Sequence, residues 1–206
     1  MYAESVRQAN EALRDLMELV NMPDFEDHDG WKQNRQIKMI LFIQNTVFNF
    51  PLQQAFVEHW ENFVDIIHYN KNISSVKIIA DLSSNTDIVY VNYAMNDIST
   101  IKGREFLMCR TFRRADNEII EAARSIDLPG FEYNPQKIRG HIVLGGGRFR
   151  IHPKDSTKTI VDYVMCVDFK SPDVPKVIMD ATLSMLIMQD AESIRQQIER
   201  LKREAV

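Results

Sequence analysis

Cysteine is nearly absent from this chain of 206 residues, which contains only Cys109 and Cys166. No apolar run in the sequence reaches the ~20 residues that a membrane-spanning helix needs. Charged residues such as Glu4, Arg7 and Glu11 interrupt the N-terminal segment, so it does not have the pattern of a secretory signal. The sequence therefore predicts two free thiols and a cytoplasmic location.

Surplus positive charge and catalytic motifs are also missing. The net charge is -4, which gives no reason to expect nucleic acid as a partner. The 5 histidines show no metal-ligand spacing. The triplet Gly145–Gly147 lacks the Lys-Ser/Thr of a phosphate loop and predicts a hairpin turn, and no Gly-x-Ser-x-Gly motif occurs. We therefore expect no metal, no cofactor, no nucleic acid and no enzymatic activity.

The clearest strand signal is the alternating segment Arg104–Arg114. One face of this strand carries Phe106, Met108, Arg110 and Phe112. Ala115–Asn117 supplies turn chemistry, and Glu118–Ser125 can return as the partner strand. Because burying an unpaired charge is costly, Arg110 needs a partner. It either reaches the sheet edge, pairs with a buried acid or meets a polar group of a ligand.

The remaining patterns predict helices near both ends of the chain with strands between them. Apolar residues at helical spacing predict helices over Ala3–Val20 and about Lys176–Glu204. Pro51 favours the start of another helix, which runs to about Val64. Further strands are predicted at Lys38–Phe50, Val76–Leu82, Thr86–Tyr93, Lys137–Leu144, Arg148–His152 and Thr159–Phe169. This order indicates one α+β domain, residues 1–206, with a mostly antiparallel sheet.

Several segments are similar, in the same order, to the signature segments of one family. They are His68–Ile73 with Val76–Ile79, Asp87–Tyr90, Gly103–Leu107, Ile138–Gly140, the glycines before Arg148, and Val167–Pro175. These segments resemble the WNPNVKEIKVL, PRDFV, VRG and DLKG…IP segments of the START family of lipid-transfer domains. Tyr69 stands where tryptophan is usual. The resemblance covers the chain from Trp31 to Leu201.

The resemblance implies a helix-grip fold, in which a curved antiparallel sheet wraps the long C-terminal helix and a hydrophobic tunnel holds one lipid. The segment between Trp31 and Lys38 is short, so the corresponding family strand is expected to be missing or abbreviated. Arg110 falls where sterol-binding members keep a cavity arginine, but Val91 falls where they keep its acidic partner. Arg110 could instead meet another acid, a phosphate, or a sterol hydroxyl reached through water.

The leading hypothesis is a monomeric carrier or sensor of one lipid, a sterol or a phospholipid, that touches membrane surfaces transiently. The expected ligand-binding residues are Tyr90, Met108, Arg110, Phe112, Val161, Tyr163, Met165, Met179, Leu183, Leu186 and Ile187. The expected cavity volume is on the order of 300–1,000 Å³.

Two alternative functions stay open at this point. One is an enzyme on the same scaffold, such as a cyclase or hydratase, which requires a pair of titratable groups that converge in the tunnel. The other is a protein-interaction module whose cavity is filled by its own bulky side chains, Phe112, Tyr163 and Met165.

The C-terminal helix is the expected gate of the tunnel. It is tethered at one end only, whereas each strand is held by hydrogen bonds to its neighbours. The alternative gate is the irregular stretch Asp127–Pro135.

Overall fold

The computed structural model describes residues 2–22, 30–33, 40–94, 102–170 and 176–204, with side chains for 2–22, 46–94, 102–170 and most of 185–203. The helices are α1 (Ala3–Val20), α2 (Leu52–Trp60), the 3₁₀ helix Glu61–His68 and α3 (Lys176–Glu204). The strands are β1 (Gly30–Gln33), β2 (Ile40–Phe48), β3 (Ile73–Ser83), β4 (Thr86–Tyr93), β5 (Arg104–Arg114), β6 (Glu118–Ser125), β7 (Ile138–Arg139), β8 (His141–His152) and β9 (Asp155–Asp168).

The strands form one curved sheet in the order β1-β2-β9-β8-β6-β5-β4-β3, and every neighbouring pair along this path is antiparallel. The two-residue strand β7 lies beside the start of β5 in parallel orientation. With α3 packed against one face, this arrangement confirms the predicted α+β helix-grip.

The outer face of the sheet is covered by α1. Its buried residues recur at helical spacing, as Ala9, Ala12, Leu16 and Val20. They pack against outward side chains of β5, β6, β8 and β9, among them the buried free thiols Cys109 and Cys166. The prediction of two free thiols is therefore confirmed.

The inner face of the sheet is covered by α2, the 3₁₀ helix and the C-terminal half of α3. Phe56 of α2 and Ile194 and Ile198 of α3 belong to the same buried core as Phe106 and Met108 of β5. Because side chains alternate along β5, the predicted face of Phe106, Met108, Arg110 and Phe112 is this inner face. In the described ranges, no helix combines the length and apolar character needed to cross a lipid bilayer.

The prediction of a hairpin turn at Gly145–Gly147 was wrong, because all three glycines lie inside strand β8. Gly146 has a φ of 132°, and a Cβ atom there would lie 2.1 Å from the carbonyl oxygen of Glu121 on β6. Glycine is therefore required here by the close approach of two strands and by the backbone conformation, rather than by a chain reversal.

Several element boundaries also differ from the prediction. The helix after Pro51 ends at Trp60 and continues as the 3₁₀ helix to His68. The two strands expected on either side of the glycines are one continuous strand, β8. The four-residue strand β1 agrees with an abbreviated family strand, and residues 34–39 after it lie outside the described residues.

Candidate ligand cavity

A cavity of about 150 Å³ lies between the inner face of the sheet and α3. Most of its wall is apolar. The apolar lining residues are Phe63, Ile66, Ile73, Val91, Phe106, Met108, Ala123, Ile142, Val164, Met165, Val167, Phe169, Leu186 and Ile194. The polar lining residues are His59, Tyr93, Arg110, Glu121, Tyr163 and Asp190, and Gly145 and Gly146 complete the wall.

The volume is smaller than the expected ~300–1,000 Å³, so this prediction was wrong. A ligand of lipid size requires the wall to move. The sheet strands are joined to their neighbours by backbone pairing along most of their length, so the elements packed on the sheet are the parts of the wall that can shift at the lowest cost.

Arg110 is buried and paired with Asp87, which lies directly opposite it on β4. Arg110 Nε donates to Asp87 Oδ1 at 2.9 Å, and Nη2 donates to Oδ2 at 2.6 Å. The guanidinium also lies over the rings of Trp60 and Phe63, at 4.1 and 4.8 Å from their centroids. Of the three alternatives for Arg110, pairing with a buried acid is therefore confirmed.

Glu121 of β6 projects into the cavity close to Arg110, since Glu121 pairs with Phe112 and Arg110 pairs with Ala123 in the β5–β6 ladder. His59 Nε2 of α2 lies 3.0 Å from Glu121 Oε2. The two atoms are within hydrogen-bond distance, and Oε2 receives no other hydrogen bond from the described residues. Burial tends to raise the pKa of Glu121, but His59 and Arg110 outweigh burial and hold that pKa below its ordinary value.

Tyr163 of β9 completes this end of the cavity. Its ring lies 5.7 Å from the ring of His59, and its buried hydroxyl has no hydrogen-bond partner in the described part of the chain. Burial, and then the negative charge of Glu121, raise the pKa of Tyr163 well above its ordinary value. The hydroxyl therefore keeps its proton at physiological pH and can both donate and accept a hydrogen bond.

A second polar group lies where α3 meets the start of β3 and the end of β4. Asp190 Oδ1 accepts hydrogen bonds from Asn70 Nδ2 at 2.7 Å and Asn72 Nδ2 at 3.4 Å, and Oδ2 accepts one from the Tyr93 hydroxyl at 2.6 Å. Burial raises the pKa of Asp190, and these three hydrogen bonds reduce the rise without cancelling it. The group attaches α3 to the sheet.

Five of the eleven predicted ligand-binding residues line the cavity, namely Met108, Arg110, Tyr163, Met165 and Leu186. Phe112 and Val161 lie in the adjoining core, where Phe112 packs on Phe56 and Trp60. The side chains of Met179, Leu183 and Ile187 lie outside the described residues.

The prediction that Tyr90 faces the cavity was wrong. Val89 and Val91 point to the inner face of β4, so Tyr90 between them points outward. Its ring belongs to the cluster beneath α1 and packs 5.1 Å from Phe131, and its hydroxyl donates to Glu105.

Sequence reasoning missed His59, Asp87, Glu121 and Asp190 as cavity or partner residues. Glu121 could have been found from alternation in β6, because Ile119 and Ala123 share its face. Asp87 could not be paired with Arg110, because residues 94–103 between the two strands leave their register open. His59 and Asp190 lie on helices that meet the sheet only in the folded chain.

The cavity belongs to a chain with clear relatives. The chain is 28% identical over 214 residues to steroidogenic acute regulatory-like protein 1 of Caenorhabditis elegans, and the aligned region covers 98% of this chain and 82% of the worm protein. It is 23% identical over 203 residues to the steroidogenic acute regulatory protein of Xenopus laevis, with 92% of this chain and 69% of the frog protein covered.

The fold is also found among solved structures. Human StAR-related lipid transfer protein 5 superposes with a TM-score of 0.79 at 14% sequence identity, with 98% of this chain and 100% of the human chain covered. Residues 11–203, which are most of the chain, match the family described as the START domain. The chain therefore belongs to the START domain family.

Proposed function

We propose that this protein binds one lipid molecule, a sterol or a phospholipid, in the cavity and carries it between membranes or senses it. The observation that carries the proposal is the mostly apolar cavity between the sheet and α3. A lipid that buries ~400 Å² of apolar surface there gains roughly 10 kcal/mol before ordering costs. Membership of the START domain family and the lipid-transfer name of a structural neighbour support lipid binding in general.

Action as a monomer at a membrane surface is part of the proposal. Met185 and Met188 of α3 are exposed, at 39% and 54% of their full surface. A helix that exposes methionine side chains to water can bury them among lipid tails during a transient encounter with a membrane. A cytoplasmic location and the absence of nucleic acid as a partner stay predictions from the sequence.

The test is native mass spectrometry of the purified protein, followed by solvent extraction and identification of the released lipid. One lipid per chain is the expected stoichiometry. Ala123→Leu, which adds bulk to the cavity wall directly opposite Arg110, should lower lipid occupancy. Ala115→Leu, in the exposed β5–β6 turn, is the matched control and should not. Equal occupancy in both variants would place the lipid outside this cavity.

A second candidate function is favoured by one observation. His59 and Glu121 are the kind of converging titratable pair that an enzyme on this scaffold would need, with 3.0 Å between Nε2 and Oε2. We propose a carrier in preference, because most of the cavity wall is apolar. Incubation of the protein with its extracted lipid, followed by mass spectrometry, separates the two: a carrier returns the lipid with its mass and structure unchanged.

A further inference from the structure

Three aromatic side chains close the end of the cavity that lies away from Arg110. Tyr93 at the end of β4, Phe106 near the start of β5 and Phe169 directly after β9 all line the cavity. The ring of Phe106 packs edge-on against both of the others, with centroid distances of 5.7 Å to Tyr93 and 5.9 Å to Phe169. These three rings are called the aromatic wall below.

The aromatic wall lies at a defined distance from the polar end of the cavity, because the same strands carry both. Phe106 and Arg110 are four residues apart on β5, and Tyr163 and Phe169 are six residues apart along β9 and its end. At the usual rise of a strand these separations are about 13 and 20 Å. An extended hydrocarbon chain that runs along the strands therefore meets the wall after a defined length.

The backbone around Phe106 limits where its ring can go. A Cβ atom at Gly140 would lie 2.3 Å from Phe106 Cε1 and 2.6 Å from Cζ, so the ring fills the space that a side chain at position 140 would need. Phe106 is also paired with Val91 in the β4–β5 ladder and is buried. The ring is therefore backed by the chain at Gly140 and cannot move away from a ligand in that direction.

Arg104 holds Phe169 through its backbone. Arg104 is buried, its Nε donates to the carbonyl oxygen of Phe169 at 2.7 Å, and its Nη1 donates to the carbonyl oxygen of Lys102. Its guanidinium carbon lies 6.0 Å from the centroid of the Phe169 ring. Because Arg104 is two residues before Phe106 on β5, one strand positions both rings, and Arg104 is a positioning residue of the aromatic wall.

The anchors of Phe106 and Phe169 do not depend on α3. They lie on the strands and on the segment around Gly140, whereas α3 contributes residues such as Leu186 and Ile194 to another side of the cavity. When α3 shifts to admit a ligand, the cavity should widen on the helix side while the aromatic wall stays in place.

From these observations we infer that Phe106 and Phe169, positioned by Arg104, set the maximum length of the hydrocarbon part that the cavity accepts. The preferred ligand is a lipid whose apolar body ends at the aromatic wall. A longer chain is rejected, because its surplus methylene groups stay in water instead of being buried. The inference rests on the proposed lipid-binding function and adds a length limit to it.

The test offers the full chain a series of straight-chain fatty alcohols from vesicles of long-chain phosphatidylcholine, each alcohol two carbons longer than the last. All members share one head group, so contacts at the polar end of the cavity cancel. The amount of each alcohol on the re-isolated protein is measured by mass spectrometry. Because bilayer and cavity both bury the chain, occupancy should stay level while the chain fits. It should then fall about fourfold for each further methylene left in water.

Two variants should move this break in opposite directions. Phe169→Leu shortens the aromatic wall and should raise the occupancy of the first excluded alcohol at least about fourfold. Val167→Phe adds a ring to the cavity lining nearer the polar end and should move the break to shorter chains. Phe131→Leu is the matched control, because it changes a ring that packs with Tyr90 and Tyr133 on the outer face of the sheet. It should leave the break where it is.

The role of Arg104 has a readout of its own. Arg104→Lys keeps the positive charge but replaces the planar fork that reaches two carbonyl oxygens by a single nitrogen. Phe169 should then be held less firmly, and occupancy should fall over a wider range of chain lengths. A break as sharp as that of wild type would remove Arg104 from the inference.

The two proposals fail in different ways. If neither an alcohol nor phosphatidylcholine is recovered, lipid binding itself fails, and the length limit with it. If alcohols bind without a break, or long-chain phosphatidylcholine is recovered in place of every alcohol, lipid binding stands and only the length limit is overturned. A break that is unmoved in either Phe169→Leu or Val167→Phe also overturns it, so the result does not depend on the folding of one variant.

Discussion

Glu121 and Asp190 are carboxylates on the wall of the same cavity, and they differ in their surroundings. Asp190 has three hydrogen-bond donors, from Asn70, Asn72 and Tyr93, and burial raises its pKa. Glu121 has the imidazole of His59 and the guanidinium of Arg110 nearby, which together lower its pKa. The groups around a buried carboxylate therefore decide the direction of its pKa shift, because uncharged donors do not cancel the effect of burial at Asp190, whereas the groups beside Glu121 outweigh it.

The two polar groups are held from opposite ends of strand β4. Asp87, which holds Arg110, and Tyr93, which holds Asp190, are six residues apart on β4 (about 20 Å at the usual rise of a strand). Between them the inner face carries apolar residues such as Val91 and Met108. The cavity therefore suits an elongated molecule with an apolar body.

The largest expected effect comes from breaking the ion pair that anchors the Glu121 end. Asp87→Ala leaves the buried Arg110 guanidinium without its carboxylate, and the free energy of unfolding should fall by about 3–5 kcal/mol. Urea denaturation followed by circular dichroism measures this change. The double variant Asp87→Leu with Arg110→Met removes both charges and should recover most of the loss. A loss below about 1 kcal/mol in the single variant would contradict the burial of this pair.

A substitution at Gly146 tests the close contact between β8 and β6 at the cavity wall. In Gly146→Ala the new Cβ would meet the Glu121 carbonyl at 2.1 Å, on a backbone with φ of 132°. The expected loss of unfolding free energy is about 2–4 kcal/mol. Gly130→Ala is the control, because Gly130 also has a positive φ of 78° but no described atom lies within 4 Å of its Cβ position. It should lose only about 1–2 kcal/mol, and equal losses would mean that backbone strain alone acts at Gly146.

Local patterns in the sequence were sufficient for much of the fold. The β5–β6 hairpin was predicted with its boundaries, because alternation marks both strands and Ala115–Asn117 supplies the turn. The glycines of β8 were misinterpreted, because a turn and a close contact between strands both require glycine. The deciding atom, the carbonyl of Glu121, is 25 positions away along the chain.

The two polar groups were beyond sequence reasoning for a related reason. His59 and Glu121 lie on different elements, as do Tyr93 and Asp190. Such pairs depend on how the helices pack against the sheet, which local sequence patterns do not specify. Identifying the partner of Arg110 required the register between β4 and β5, which places Asp87 opposite Arg110. The family resemblance did not supply this register.

The attachment of α3 through Asp190 should control lipid exchange. Asp190→Ala leaves Asn70, Asn72 and Tyr93 without their shared acceptor, so α3 should open more readily and lipid transfer between vesicles should rise by about 3–10-fold. Amide hydrogen exchange should become faster in residues 176–204. Glu192→Ala, two residues further on the same helix and paired with Arg195 at the surface, is the control and should change neither measurement.

The alternative gate makes a different prediction for the same variant. Phe131 and Tyr133 in the stretch Asp127–Pro135 pack with Tyr90 on the outer face of the sheet, away from the cavity. If this stretch were the gate, its own amide exchange would follow lipid transfer across a set of variants, and Asp190→Ala would leave the transfer rate unchanged.

The smallest expected effect is on the pH dependence of the free energy of unfolding, to which the two carboxylates should contribute with opposite signs. The pKa of Glu121 lies below its ordinary value of 4.5, so its contribution to stability is present above that value and is lost as the pH falls through the lowered pKa. The pKa of Asp190 lies above its ordinary value of 3.8, so its contribution is present below that value and is lost as the pH rises through the raised pKa. Urea denaturation of wild type, Glu121→Gln and Asp190→Asn over about pH 3 to 7 measures both. On acidification wild type should lose stability relative to Glu121→Gln and gain stability relative to Asp190→Asn. Curves that shift in the same direction would show that the two carboxylates share one environment, and the comparison between them would then lose its electrostatic basis.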